Sequence, residues 1–284
     1  MRKFSFALLV ALIVAATVAS AVGCGKSKKA SPNSAKGILE KSQKAVLNAK
    51  SVKISGSTEL KTPEAEEKVS ADTFTGEFNI ISTSDIEGHV VAQDQKGQQS
   101  QAYLVGGYAY SYTPNSGWEK QKTSGVQDLT TGLITPENLA TMIKYAENLK
   151  KLPDEGNNQV VSFDVGNKFY DEMLSGLEEE SSAPTTAEQS LAQQYGDLLK
   201  GVVGDIKVSV VMKVDKTSSC PSEVTVKASA KDIPMMGDIS LDSKMAFTDY
   251  DVPVTITLPP EAASAKEVEP GLPSGIPGLP GLGL

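Results

Sequence analysis

The chain has 284 residues, 39% of them hydrophobic and 22% charged, with a formal charge of −8. That composition is globular, and the length allows one large domain or two small ones. Loss of a leader carrying Arg2 and Lys3 takes the charge two units further, to −10. A body this acidic repels nucleic acid and anionic headgroups, so nucleic-acid binding is excluded as a function.

Arg2 and Lys3 form a short basic region ahead of Phe6–Val18, an uncharged apolar run of 13 residues. The run suits the core of a signal peptide and is short of the ~20 apolar residues a spanning helix needs. Extension through Ala19–Val22 brings it near that length, so a permanent anchor is the competing reading. Ala21-Val22-Gly23-Cys24 decides between them, because it has the form of a lipobox. Small residues admit the signal peptidase, and the Cys24 thiol is the atom that takes a diacylglycerol thioether. We therefore expect a signal peptide over 1–23 and lipidation at Cys24. The polar stretch Gly25–Asn33 follows as a tether over 24–33. Its three lysines are either a solvated spacer or weak contacts to anionic headgroups, at roughly 1 kcal/mol each. The expected location is the extracytoplasmic face of the cell membrane.

Ser34 is an N-cap candidate, and a helix is predicted from Ala35 to Ala49. Ile38, Leu39, Ser42, Ala45, Val46 and Ala49 fall on one face of it. The period then changes to two. Val52, Ile54, Gly56, Thr58 and Leu60 alternate with Lys53, Ser55, Ser57, Glu59 and Lys61. Phe74, Gly76, Phe78 and Ile80 share a face, as do Ile86, Gly88 and Val90. Gly106-Gly107 joins two strand-like runs, and a turn at Pro114–Gly117 delivers Trp118-Glu119-Lys120. These connections are too short for parallel crossovers, so the stretch is predicted as an antiparallel meander.

A helix is predicted next, capped by Thr135 with Pro136 at its first position and Leu139, Met142, Ile143, Ala146 and Leu149 as its apolar stripe. Pro153 and Gly156 end it. A strand over Gln159–Val165 leads to two more predicted helices, Lys168–Leu177 and Ala187–Val203, around the acidic loop Glu178-Glu179-Glu180. Strands resume with Ile206–Val214, Val224–Ala228 and Ile239–Asp249, and Val252–Ile256 closes the fold. Strands and helices that do not alternate imply an α+β fold, with one polar sheet face and helices on the other. The tail from Pro270 to Leu284 is Pro/Gly-rich and expected to be disordered; it is also a candidate protein-binding segment.

No motif supplies an enzyme's chemistry. His89 is the only histidine, which excludes paired-histidine metal motifs. No nucleophile elbow, phosphate loop or calcium loop occurs. A catalytic Cys220 needs an activating base, and only His89 is available. We expect no catalytic residues, no metal and no cofactor. The apolar strand face remains. Gly56, Gly76 and Gly88 sit on it and give up side-chain volume, which reads either as room for a ligand or as bulges in a filled core.

Four features together resemble the LolA/LppX-like superfamily of envelope lipoproteins and lipoprotein carriers. They are the lipobox Cys24 with its tether, the helix running into Val52-Lys53-Ile54, the Gly107-Tyr108-Ala109-Tyr110 hairpin with Gly117-Trp118-Glu119-Lys120, and the closing Asp251–Pro260. The resemblance implies a curved antiparallel half-barrel sheet with helices packed on its concave face, in one domain over 34–262 ahead of a tail over 263–284. It also implies an acyl-chain or lipid ligand between sheet and helices. No short motif fixes the site by resemblance; from the apolar strand and helix faces, the cavity residues expected for a membrane-anchored carrier of a hydrophobic ligand are Val52, Ile54, Phe74, Phe78, Leu139, Met142 and Ile143. The alternative is a structural or interaction module with a filled core.

Overall fold

A computed structural model describes residues 31–61, 69–82, 85–122, 143–166, 168, 207–233 and 237–268. Helix α1 spans Ala35–Asn48, capped as expected by Ser34, whose Oγ accepts from the Gly37 amide at 3.1 Å. Its buried stripe is Ile38, Leu39, Ser42 and Val46. Among the described residues twelve strands follow in chain order: β1 Ser51–Lys61, β2 Val69–Ser82, β3 Asp85–Gln93, β4 Gln99–Val105, β5 Tyr108–Thr113, β6 Gly117–Lys122, β7 Ala146–Glu155, β8 Asn158–Val165, β9 Lys207–Asp215, β10 Pro221–Ile233, β11 Gly237–Thr248 and β12 Lys266–Glu267. A 3₁₀ turn, η1, covers Pro260–Ser264.

All twelve strands form one open, curved sheet in the order β12-β6-β5-β4-β3-β2-β1-β11-β10-β9-β8-β7. Every pairing is antiparallel except β12 with β6, which is parallel. The sheet is two meanders, β1–β6 and β7–β11, joined where β1 pairs with β11 in the register Ile54↔Phe247 and Gly56↔Met245. Period-two alternation places one side chain of each pair inward. Val161, Phe163, Val208, Val210, Met212, Val224, Val226, Met245, Phe247 and Val52 pack with Ile38, Leu39 and Val46 of α1 as the core. The face that carries α1 is called inner here. Of the helices expected to cover it, α1 lies among the described residues, over β7 and β8.

One predicted element is corrected. Ala146–Leu149 is strand, not the end of a helix: of the described residues here, Ile143 and Lys144 are helical, and β7 starts at Ala146. Ile143, Ala146 and Leu149 stand three apart, which imitates a helical stripe. Two local features overrule it. Asn148 takes a left-handed φ of 51° and makes a bulge between Glu147 and Lys150. Gly156, at φ 58°, and Asn157 form a two-residue hairpin turn between Glu155 and Asn158. Pro153 then sits in an edge strand, where a missing amide is tolerated.

A second departure concerns the outer face, expected to be polar throughout. On β7–β11 it carries charge beside Val160 and Val211, with Lys213 between Glu155 and Glu223 at 2.8 and 3.1 Å. On β3–β6 it carries rings. His89 stacks on Tyr103 with centroids 4.0 Å apart, and Trp118 lies 5.9 Å from Tyr103 and 5.3 Å from Tyr112. The chain after β11 crosses this face and ends on β6. Val254, Ile256 and Leu258 are half-buried while Thr255 and Thr257 are exposed, the signature of an extended strap lying on a surface. Ala262 and Ala265 are buried at its far end.

The lipobox with Cys24, the helix predicted over 187–203, the helix predicted over 168–177 beyond residue 168, and Pro270–Leu284 lie outside the described residues; of the tail expected over 263–284, residues 263–268 are described and hold β12. No described helix is long and apolar enough to cross a membrane.

The inner sheet face as candidate ligand site

Four of the seven sequence-predicted cavity residues come together. Val52 pairs with Phe78, Ile54 with Gly76, and Gly56 with Phe74, so Val52, Ile54, Phe74 and Phe78 are neighbours on the inner face of β1 and β2. Val52 is buried in the core, and Ile54, Phe74 and Phe78 are half-buried against it. Ile143 packs on the same core from the turn before β7. Leu139 and Met142 lie outside the described residues.

The same face continues across β3 to β5. Gly76 faces Val90, Phe78 faces Gly88, and Gly88 faces Leu104, which faces Ala109. The glycines have a definite role here. A Cβ on Gly88 would strike the Phe78 ring, with Cε1 at 2.6 Å, and one on Gly56 would strike the backbone carbonyl of Lys244 and come within 2.7 Å of Phe74 Cζ. One on Gly76 would meet Ile54, Phe78 and Val90, each at 3.1 Å. The volume these glycines release is thus taken by the rings of Phe74 and Phe78, which lie over them as in aromatic rescue of strand glycines. Glycine fixes where the rings rest.

Toward the C-terminal end of β1 the face turns polar. Thr58 pairs with Asp72 on one side and Ser243 on the other, and its hydroxyl is 3.1 Å from that of Ser243. Ser100 lies opposite Ala92, which lies opposite Phe74. Asp72 Oδ1 and Ser100 Oγ are buried atoms with no hydrogen-bond partner. Burial pushes the Asp72 carboxyl above the usual carboxylate range, and the nearby charge of Asp94 adds to the shift. The sequence reading passed over this pair, although Asp72 stands two residues from Phe74 in an unbroken alternation, which is the available signal. Beyond it, an open hollow of about 590 Å³ lies at the end of the β10–β11 hairpin, lined by Lys61, Ala230 and Ile239 among others. It is separate from the four clustered residues.

Nucleophile chemistry has no support in the placement of Cys220 and His89. Cys220 is buried in the turn before β10, and burial pushes its thiol up, away from the reactive thiolate. His89 is in β3, with β2, β1 and β11 between it and β10. Among the described residues no three His, Cys, Asp or Glu side chains are grouped to hold a metal ion.

An open α+β sheet with one apolar face, partly covered by an N-terminal helix, is the class of protein this describes. The chain belongs to a family of unknown function, DUF6612, whose signature matches residues 34–267. No curated protein matches it. Among solved structures it is similar to a LolA superfamily protein, NE2245, from Nitrosomonas europaea, at 10% identity over 78% of this chain and 95% of that one, with a TM-score of 0.29. It is similar at 12% identity to a domain from Vibrio parahaemolyticus provisionally described as an outer membrane lipoprotein-sorting protein, over 76% of this chain and 92% of that one, TM-score 0.29. A DUF1329 family protein from Desulfovibrio piger matches at 10% identity over 78% and 93%, TM-score 0.29. The first shares the LolA name of the resemblance seen in the sequence; none carries the LppX name. Superpositions at this TM-score carry no argument for a function of this chain.

Proposed function

We propose that the protein is a non-catalytic lipoprotein, anchored through Cys24 on the extracytoplasmic face of the membrane, that holds the acyl chain of a lipid against the inner sheet face. One observation carries this reading: Ile54, Phe74 and Phe78 adjoin one another on a continuous apolar face and remain only half-buried against its core. Each methylene moved from water onto such a face gains about 0.8 kcal/mol, so a long chain binds without a charged partner. The anchor keeps the face within a tether's length of the bilayer that supplies the ligand.

The rings packed over Gly56 and Gly88 favour the competing reading, a filled core and a purely structural or interaction role. One experiment separates the two. Full-length protein purified in mild detergent is examined by native mass spectrometry and titrated with a fluorescent fatty-acid probe. Co-purified lipid, with saturable probe binding, is expected. Absence of both establishes the filled core. Independently, Cys24→Ser is expected to move the protein from the membrane to the soluble fraction.

A further inference from the structure

The inner face ends in two polar atoms that the fold leaves unused. Asp72 and Thr58 are cross-strand partners, and Thr58 is buried and engaged with Ser243, which fixes Asp72 on the inner side of β2. Ser100 is inner by register, through Ala92 to Phe74. Buried polar groups are nearly always hydrogen-bonded, so two orphans at the polar end of this face call for a partner that the described residues do not supply.

The two atoms differ in kind. Ser100 Oγ can donate or accept; Asp72 accepts when ionised and donates when protonated. They are on β2 and β4, two strand spacings and a two-residue offset apart, or about 12 Å. Asp94 stands next along the face from Asp72 and already accepts from the amides of Lys96 and Gln98. No ion pair among the described residues includes Asp72 or Asp94. Among the described residues, the charge that acts on Asp72 is that of Asp94, and it is negative. A carboxylate or phosphate placed here meets like charge in a partly desolvated setting. A hydroxyl instead donates to one orphan or accepts from the other.

Resting on the acyl-chain reading above, we propose that Asp72 and Ser100 form a headgroup subsite that takes an uncharged, hydroxyl-bearing amphiphile and rejects an anionic one. The chain of such a ligand runs from this polar end over Phe74 and Phe78.

The test uses two ligands with the same chain, oleyl alcohol and oleate, as competitors of a fluorescent acyl probe on the full-length protein at neutral pH. The alcohol is expected to displace the probe at least tenfold more effectively. Asp72→Asn removes the charge at constant volume and is expected to improve oleate fivefold or more while leaving the alcohol within about threefold. Ser100→Ala is expected to weaken the alcohol severalfold and oleate little. Thermal melting of each variant confirms that it folds, and a variant that does not fold is replaced by Asp72→Ser or Ser100→Thr. Equal displacement by both ligands in the wild type overturns the subsite and leaves the acyl-chain reading standing. An alcohol-to-oleate ratio unchanged by Asp72→Asn overturns it too, showing that the orphaned atoms bind only water. Displacement by neither ligand, although the probe itself binds, overturns the subsite alone; failure of the probe to bind removes both.

Discussion

Gly88 and Phe78 illustrate how single residues set this sheet. They are cross-strand partners, and the ring lies where a Gly88 side chain would start. Gly88→Ala is therefore an overpacking change, expected to cost about 1–3 kcal/mol in chemical denaturation. The cost has one origin, so it should fall by more than half in the Phe78→Leu background. An additive double mutant would show that the ring is not the obstacle. His89, one residue on, faces outward, where burial holds its imidazole below the usual 6.5 against the opposing pull of Glu77. Below pH 6.5 the unfolded chain takes up a proton that the folded chain resists. This contribution to stability is full above about pH 6.5 and drains away as the pH falls through the window beneath it. His89→Gln is expected to flatten the fall in melting temperature between neutral and mildly acidic pH. An unaltered pH profile in that variant would assign the acid sensitivity to other groups. Neither effect is visible in the sequence alone. Alternation assigned both residues their faces, but what lies against each face comes from strands and loops far along the chain.

The strap after β11 shows the same limit for whole elements. The strand runs Val52–Leu60, Phe74–Ile80, Ile206–Val214 and Ile239–Asp249 were legible because alternation is local. β7 was not, since Ile143, Ala146 and Leu149 at helical spacing outweighed the turn signal of Gly156-Asn157 when read alone. The aromatic row Tyr108, Tyr110, Tyr112 and Trp118 read simply as strand, because the segment that crosses it lies some 140 residues later. That strap is pinned where α1 meets β1. Asp251 Oδ1 accepts from the Lys50 amide at 2.7 Å, the Asp251 amide donates to the Ser51 carbonyl at 3.1 Å, and Asn79 Nδ2 donates to the Val254 carbonyl at 2.7 Å. Asp251 has a φ of 59°, a left-handed conformation that aspartate tolerates and alanine does not. Asp251→Ala loses a charge-assisted bond and gains strain, and is expected to destabilise by about 2 kcal/mol. Asp251→Gly loses the bond but relieves the strain, so it should melt above Asp251→Ala and below the wild type. Equal melting of all three would mean that the strap is not held at this point.

At the scale of the molecule, each meander covers the other. α1 belongs by sequence to the first meander but packs on β7 and β8 of the second. The strap belongs to the second but pairs with β6 of the first, Lys266 against Glu119 and Glu267 against Lys120. β1 and β11 join them with nine register pairs from Lys53↔Thr248 to Lys61↔Ser240. Neither meander can shed the other without exposing an apolar face, so the described residues should unfold as one cooperative unit despite the open sheet order. The protein carries its own reporters for this. Trp118, the single tryptophan, is in β6 of the first meander. Cys220 is buried at the start of β10 in the second and is the one thiol left once Cys24 is replaced by serine. Tryptophan fluorescence and thiol labelling of Cys24→Ser are expected to give coincident transitions in urea. Labelling of Cys220 at lower urea than the Trp118 transition would mean that the second meander opens first. The β1–β11 seam would then be a hinge between two independent halves, and ligand exchange at the inner face would follow from separation of those halves, with α1 carried along on β7 and β8.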